Sequence, residues 1–132
     1  MVSREESEGQ SMTRVISFDL PMPPSLWNLY VGRGISQRRS KQYKDWIEEA
    51  GWMLIAQRNR GGKFKRFPGD VIVTIDAYRG GNKGRDIDNI LKAVCDLLQS
   101  TSTISNDNCV VDLHARWVDE GVPCTVTVRD AA

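Results

Sequence analysis

No stretch of this sequence approaches the roughly 18 consecutive apolar residues that a membrane-spanning helix requires, so a helical membrane protein is not expected. The opening MVSREESEGQSMT is acidic and polar and lacks the basic-then-apolar layout of a secretory signal. Residues 1–12 are therefore expected to be a disordered leader. Cysteine is scarce and odd in number: Cys95, Cys109 and Cys124, with no C-x-x-C pair. That excludes a disulfide framework and points to reduced thiols in a cytoplasm. Each lies in an apolar run and is expected to pack as a small hydrophobe. Histidine is nearly absent. His114 alone, with cysteines at these spacings, matches no familiar zinc pattern.

What is present is an ordinary globular composition over 132 residues, 40% hydrophobic and 27% charged, long enough for one domain with its own core. The formal net charge of +1 conceals segregation. Residues 33–92 hold 14 Lys/Arg against 7 Asp/Glu, and the remainder holds 4 against 10. A basic middle suits a polyanion, although one basic segment alone is as readily a solvated face.

Residues 13–20 alternate apolar and polar and predict a strand. PMPPSLWNLY follows; its prolines forbid a central strand and make a rigid delivery segment for Ser25, Trp27 and Asn28. VGRGISQRRS is a basic loop. Tyr43, Trp46, Ile47, Ala50, Met53 and Leu54 recur at helical period, predicting a helix from about Gln37 or Ser40 to Gln57 with Ser40 as N-cap. Residues 71–78 predict a second strand, 86–99 a second helix and 109–118 a half-buried strand. Residues 124–130 are expected to close a hairpin with that strand. The expectation is an α+β single domain at 13–130: a four-stranded mixed sheet packed with two main helices, in the order β-α-β-α-β-β.

GRDIDNILKAVCDLL (84–98) carries the chemistry. On a helical wheel Ile87, Ile90, Leu91, Val94, Leu97 and Leu98 form an apolar arc, and Asp88, Asn89, Lys92 and Asp96 face away. Capping explains either Asp86 or Asp88, but not both together with Asn89 and Lys92. A calcium loop needs Gly where Leu91 stands. Two close aspartates can supply hard oxygen ligands to a divalent metal that keeps waters and substrate phosphate. Asp107 is a candidate third ligand, if the 100–108 connector returns it to the sheet end of residues 86–88. Lys92, one turn from Asp88, is placed to steady developing phosphate charge or protonate a leaving oxygen.

At these residues the chain resembles the RusA family of Holliday-junction resolvases. The family pattern is D-x-D-N-x-x-K with a further aspartate and leucine behind it, then an acidic pair before a strand; here those parts are GRDIDNILKAVCDLL and ISNDNCVVDL. The proline-rich PMPPSLWNLY resembles that family's N-terminal segment. The resemblance spans roughly residues 14–129. It implies a magnesium-dependent endodeoxyribonuclease, with manganese as a substitute, that resolves four-way DNA junctions by paired nicks as a homodimer. By position it implies Asp86, Asp88 and Asp107 as metal ligands and Lys92 as the catalytic lysine, with Asn89, Asn106 and Asp96 in support. Asn106 departs from the family, which has an acid there. DNA contacts are expected from Arg33, Arg38, Arg39, Lys41, Lys63, Lys65, Arg66, Lys83 and Arg85. Trp27, Trp46, Trp52 and Trp117 are candidates for core or dimer surface. A cytoplasmic, bacterial or phage-encoded setting, prophage included, is expected by resemblance. Two other classes compete: a non-catalytic branched-DNA-binding protein, kept alive by Asn106, and a metal-dependent nuclease of another branched or linear nucleic acid. A capped helix in a small-molecule-binding domain is the blandest alternative.

Overall fold

The computed structural model describes residues 14–25, 28–81 and 85–131. The expected leader, Trp27 and Lys83 lie outside the described residues. Strand β1 (Val15–Leu20) is followed by a two-residue pair, β2 (Tyr30–Val31) and β3 (Arg38–Arg39). Helix α1 (Lys41–Asn59), strand β4 (Val71–Tyr78), helix α2 (Leu91–Ser100) and strands β5 (Val110–Val118) and β6 (Cys124–Asp130) complete the order. Short 3-10 turns at Ile87–Ile90 and Asp107–Cys109 precede α2 and β5.

Alternation decides which strand faces are covered. Phe18 and Leu20, Val71, Val73, Ile75 and Ala77, and Cys124, Val126 and Val128 are buried on one face of the sheet. Tyr43, Trp46, Ala50 and Leu54 of α1 and Ala93, Val94, Leu97 and Leu98 of α2 complete the core against them. The other face is mostly polar, the solvated side of a mixed sheet whose β1–β6 and β6–β4 pairs are antiparallel. There Ser17 Oγ and Thr127 Oγ1 lie 2.9 Å apart, and Arg116 Nε donates to Asp76 at 2.7 Å. Ser40 caps α1 as its sequence position suggests, accepting the Tyr43 N–H at 3.0 Å.

The sheet order is β1-β6-β4-β5, so the expected β5–β6 hairpin does not form. Instead β6 inserts antiparallel between β1 and β4, and β5 lies parallel to β4 at the edge. Burial explains the choice. The alternate residues of β6 are fully buried, as suits a strand flanked on both sides, whereas β5 exposes Asp112, His114 and Arg116. The parallel β4–β5 pair requires a crossover, and α2 supplies it. Residues 119–123 then carry the chain past the end of β4, whose Tyr78 N–H donates to Pro123 O at 3.0 Å.

This topology gives the sheet two functionally different ends. Leu20, Cys124, Ala77 and Trp117 share one row at the end where β4 and β5 finish, called the upper end below. Val71, Val110 and Asp130 mark the lower end, where β4 and β5 begin. Helix α2 runs from upper to lower, about 15 Å for its 10 residues.

The β2–β3 pair was expected only as a loop. It depends on Gly32, whose φ of +87° is a left-handed conformation and where a Cβ would stand 2.5 Å from Ser36 O. The pair presents Arg33, Arg38 and Arg39 to solvent.

Candidate active site

The upper end holds the helix mouth. Asp86 has extended backbone (φ −85°, ψ 142°) at the N-cap of the 87–90 turn, yet its side chain makes no capping hydrogen bond. Its carbonyl, not its carboxylate, receives the Asn89 N–H, at 3.0 Å. Asp86 and Asp88 are both exposed, and neither carboxylate has a hydrogen-bond or ion-pair partner among the described residues. Capping therefore does not account for this pair.

Lys92 stands one turn further, in a polar network built by both helices. Its Nζ lies 3.6 Å from Asp96 Oδ1 and 6.0 Å from the centroid of the Tyr30 ring. Asp96 in turn accepts the buried Tyr43 hydroxyl. Tyr30 and Tyr43 meet edge to face with centroids 5.9 Å apart, and Arg39 lies over the Tyr43 ring. Partial burial opposes the Lys92 charge, but Asp96 and Tyr30 outweigh it and raise the lysine pKa above its ordinary value. Lys92 is thus kept as an ammonium, fit to stabilise negative charge or give a proton, and unfit as a base. Burial first, and the Asp96 acceptor second, raise the Tyr43 phenol so that it stays a donor. Tyr43 and Tyr30 were not singled out from sequence for chemistry. Tyr43 sat in the apolar period of α1, and the only clue was that a buried phenolic O–H must find an acceptor.

Arg85 braces this end. Its Nη2 donates to Pro23 O at 2.9 Å, tying the rigid proline segment to the residue before Asp86. Burial lowers its pKa from the ordinary value. A groove of about 790 Å³ opens beside it, lined by Pro23, Ser25 and Asn28 on one wall and Lys41, Asp45 and Trp46 on the other.

Asp107 is elsewhere. Its N–H donates to Gln99 Oε1 on the last turn of α2, at 3.1 Å, which places it at the lower end. Burial, then the charges of Asp107 and Asp96, raise the Cys95 thiol pKa, as expected if Asp107 lies along the lower half of α2. The connector thus does not return Asp107 to residues 86–88 within one chain. Among the described residues, no group of three or more His, Cys, Asp or Glu side chains is arranged to hold a metal ion. Asn106, the departure from the family pattern, has a local role: its Oδ1 accepts the Asn108 N–H at 3.1 Å and caps the 107–109 turn.

The basic residues divide in the same way. Arg33, Arg38, Arg39 and Lys41 are exposed around the start of α1, near the helix mouth, and Lys41 pairs with Asp45 at 2.7 Å. Lys63, Lys65 and Arg66 are exposed in the 60–70 connection, which is pinned at the lower end by the Phe67 N–H donating to Thr103 O at 3.1 Å. Trp46 is buried and donates to Pro21 O, Trp52 is exposed and Trp117 is half-buried, so the three described tryptophans form no single surface.

Residues 23–129 match the family described as endodeoxyribonuclease RusA. A crossover junction endodeoxyribonuclease RusA from Aquifex aeolicus (strain VF5) is 31% identical over 101 residues, covering 72% of this chain and 71% of that protein. The matched range takes in the proline segment from Pro23 onward, the helix mouth, the connector with Asp107 and strand β5. The chain belongs to the endodeoxyribonuclease RusA family.

Proposed function

We propose that this protein is a divalent-metal-dependent endonuclease that resolves four-way DNA junctions by paired, symmetric nicks. The observation that carries this is that Asp86 and Asp88, whose carboxylates have no partner among the described residues, precede on the same helix an ammonium held by Asp96. The donor set suits Mg²⁺, with Mn²⁺ as a substitute, because exposed carboxylates offer hard oxygens and leave coordination positions for water and phosphate. Asp86 and Asp88 would hold the ion from the upper end. Asp107, at the lower end of its own protomer, would join them only from a second copy. The working form is then a homodimer, whose two sites match the approximate two-fold symmetry of a four-way junction.

A bound cation supplies an activated water and neutralises charge on the scissile phosphate. The chain's own residues do the rest. Lys92, kept charged by Asp96, stabilises the charge that develops on the phosphate and protonates the leaving 3′ oxygen, leaving 5′-phosphate and 3′-hydroxyl ends. Tyr43 fixes the Asp96 carboxylate, and Asn89 locks the backbone of Asp86. Arg33, Arg38, Arg39 and Lys41 hold the DNA backbone near the mouth, and Lys63, Lys65 and Arg66 near Asp107, by contacts that position without reading sequence. A non-catalytic binding protein would need Asn106 to be a lesion, but its capping bond gives that residue a structural reason. The cytoplasm, where DNA is accessible, is the setting this chemistry requires.

The test is nicking of a synthetic four-way junction beside a matched linear duplex, in Mg²⁺ or EDTA, by wild type and Asp88→Asn. Paired Mg²⁺-dependent nicks on the junction alone, lost in the variant, support the proposal. Binding without nicks, or equal cutting of linear duplex, refutes it.

A further inference from the structure

The hairpin of β2 and β3 carries an isoleucine at its tip. Among the described residues Ile35 is the most exposed large apolar side chain, fully in solvent, and Trp52 follows at 69%. A single exposed apolar residue is ordinary and by itself indicates no site. Three further observations set this one apart. Its mount is ordered. The Ser36 N–H donates to Arg33 O at 3.0 Å, the Gln37 N–H to Gly34 O at 3.1 Å, and the Ser36 hydroxyl to the same Arg33 carbonyl at 2.7 Å. Gly32 and Gly34, with φ of +87° and +56°, allow the tight path into that turn. The mount is also basic, with Arg33, Arg38 and Arg39 exposed on the same hairpin. Finally, the hairpin is founded on the candidate site. The ring centroid of Tyr30, on β2, lies 6.0 Å from Lys92 Nζ, and Arg39, on β3, lies over the Tyr43 ring. The Ser40 N–H donates to Leu29 O at 2.8 Å and closes the hairpin base onto the start of α1. Ile35 follows Tyr30 by five residues, at most about 17 Å of extended chain. The tip therefore works within a few base-pair steps of a phosphate held at Lys92.

We propose that Ile35 is an apolar wedge that senses the branch point: held out on its arginine-bearing hairpin, it enters between base pairs where the strands of a junction exchange. This rests on the junction substrate of the proposed function and names the residue that tells a junction from linear duplex. The acids, Lys92 and the basic side chains cannot make that distinction, because they meet phosphates, which every duplex offers. Apolar side chains, isoleucine among them, do enter between base steps, at the cost of unstacking them. Linear duplex imposes that cost in full. At a branch point the strands change partners, so stacking across the exchange opens more easily and the same insertion costs less. The arginines hold the backbone on either side while the isoleucine surface leaves water. Branching at Cβ leaves isoleucine few rotamers to lose on insertion.

The experiment uses the full chain in EDTA, so that binding is read without cutting. Wild type, Ile35→Ala, Ile35→Phe and Arg33→Ala are compared for affinity to a synthetic four-way junction and to a matched linear duplex. The junction carries 2-aminopurine either at the branch point or in mid-arm, and its fluorescence, which rises on unstacking, is read at saturating protein. Ile35 is fully exposed and its backbone is not left-handed, so both of its substitutions leave the fold intact. Wild type should prefer the junction and brighten the branch-point probe alone. Ile35→Ala should lose roughly tenfold in junction affinity, the order expected when methyl groups leave a buried contact. Its duplex affinity should stay within twofold of wild type, and the branch-point probe should stay dark even at saturation. Ile35→Phe, still an apolar wedge, should keep both the preference and the signal. Arg33→Ala should weaken junction and duplex alike and flatten the salt dependence. An Ile35→Ala protein with unchanged preference and signal, or with equal losses on junction and duplex, would overturn the proposal. So would a change in its mass by light scattering, which would set Ile35 against another protein chain. A wild type without preference for junctions removes the proposed substrate and the wedge together. A wild type that cuts junctions selectively, beside an Ile35→Ala protein just as selective, removes the wedge alone.

Discussion

Asp86 and Asn106 occupy equivalent places at the two ends of α2's surroundings, and they behave oppositely. Each has extended backbone at the N-cap of a 3-10 turn, with φ/ψ of −85°/142° and −159°/152°. Asn106 turns its side-chain oxygen back onto Asn108 and completes the cap. Asp86 turns its carboxylate outward, beside Asp88, and leaves the turn uncapped. A residue used for structure takes the hydrogen bond that its position offers, worth about 1 kcal/mol at a cap. Asp86, proposed above as a metal ligand, forgoes it. The same contrast separates Lys41, paired on the surface with its own i+4 acid, from Lys92, whose acid is itself anchored by a tyrosine from another helix.

The largest effect should come from the outward pair. Asp86→Asn or Asp88→Asn should remove cleavage altogether while junction binding, measured by mobility shift, is unchanged or tighter, because the change removes negative charge facing phosphate. Loss of binding in both would make the pair structural and erase the contrast. Next is Lys92→Ala, which should slow cleavage at saturating DNA by roughly 10²–10³-fold, the cost of one preorganised charge stabiliser. Equal losses in rate and affinity would make it a DNA-binding residue instead.

Asp96→Asn sharpens the comparison through pH. Removing Asp96 removes the principal group that raises the Lys92 pKa, while partial burial continues to lower it. The charged form of Lys92 is populated below its pKa, so the alkaline limb of the cleavage profile should move to lower pH in the variant. Tyr43→Phe should move it less and in the same direction, since Asp96 remains but loses its anchor. An unmoved limb in both would show that the network does not govern the lysine. Gly32→Ala, which forces a Cβ against Ser36 O, should disturb the β2–β3 pair and weaken junction binding at moderate salt with the catalytic rate on bound DNA retained. The smallest effect belongs to the lower end. Asn106→Ala should cost about 1 kcal/mol of stability by thermal melting, and Asn106→Asp, which can cap equally well, should change stability and cleavage little. A large gain in cleavage from that aspartate would mean that the capping role is incidental.

Much of the fold was legible because it is written in burial period. The 71–78 and 124–130 strands alternate, the α1 face recurs at helical spacing, and Ser40 stands where a cap belongs. The strand order was not legible. A short turn between two apolar runs suggests a hairpin, and only the competition for the central position sends β6 between β1 and β4 and leaves β5 outside. The site was legible as a set of residue types, since Asp88 and Lys92 stand four apart on one polar helical face and Asp86 just before its first turn. Its division was not, because whether a connector returns a residue to one sheet end depends on the hand and direction of the crossover, and β4–α2–β5 leaves Asp107 at the other end. The support of Lys92 was half visible: Asp96 follows at i+4, but Tyr43 and Tyr30 reach it from other elements.

The most direct test mixes two inactive proteins. Asp88→Asn and Asp107→Asn are unfolded together and refolded, or co-expressed with different tags and purified as the mixed dimer, and nicking of a four-way junction in Mg²⁺ is measured. If Asp86 and Asp88 act with Asp107 from the other copy, the mixed dimer contains one complete site and should nick, giving single rather than paired cuts. If the mixed dimer is as inactive as its parents, each site is built within one chain, and the division of the acids between the two ends of α2 has been misjudged.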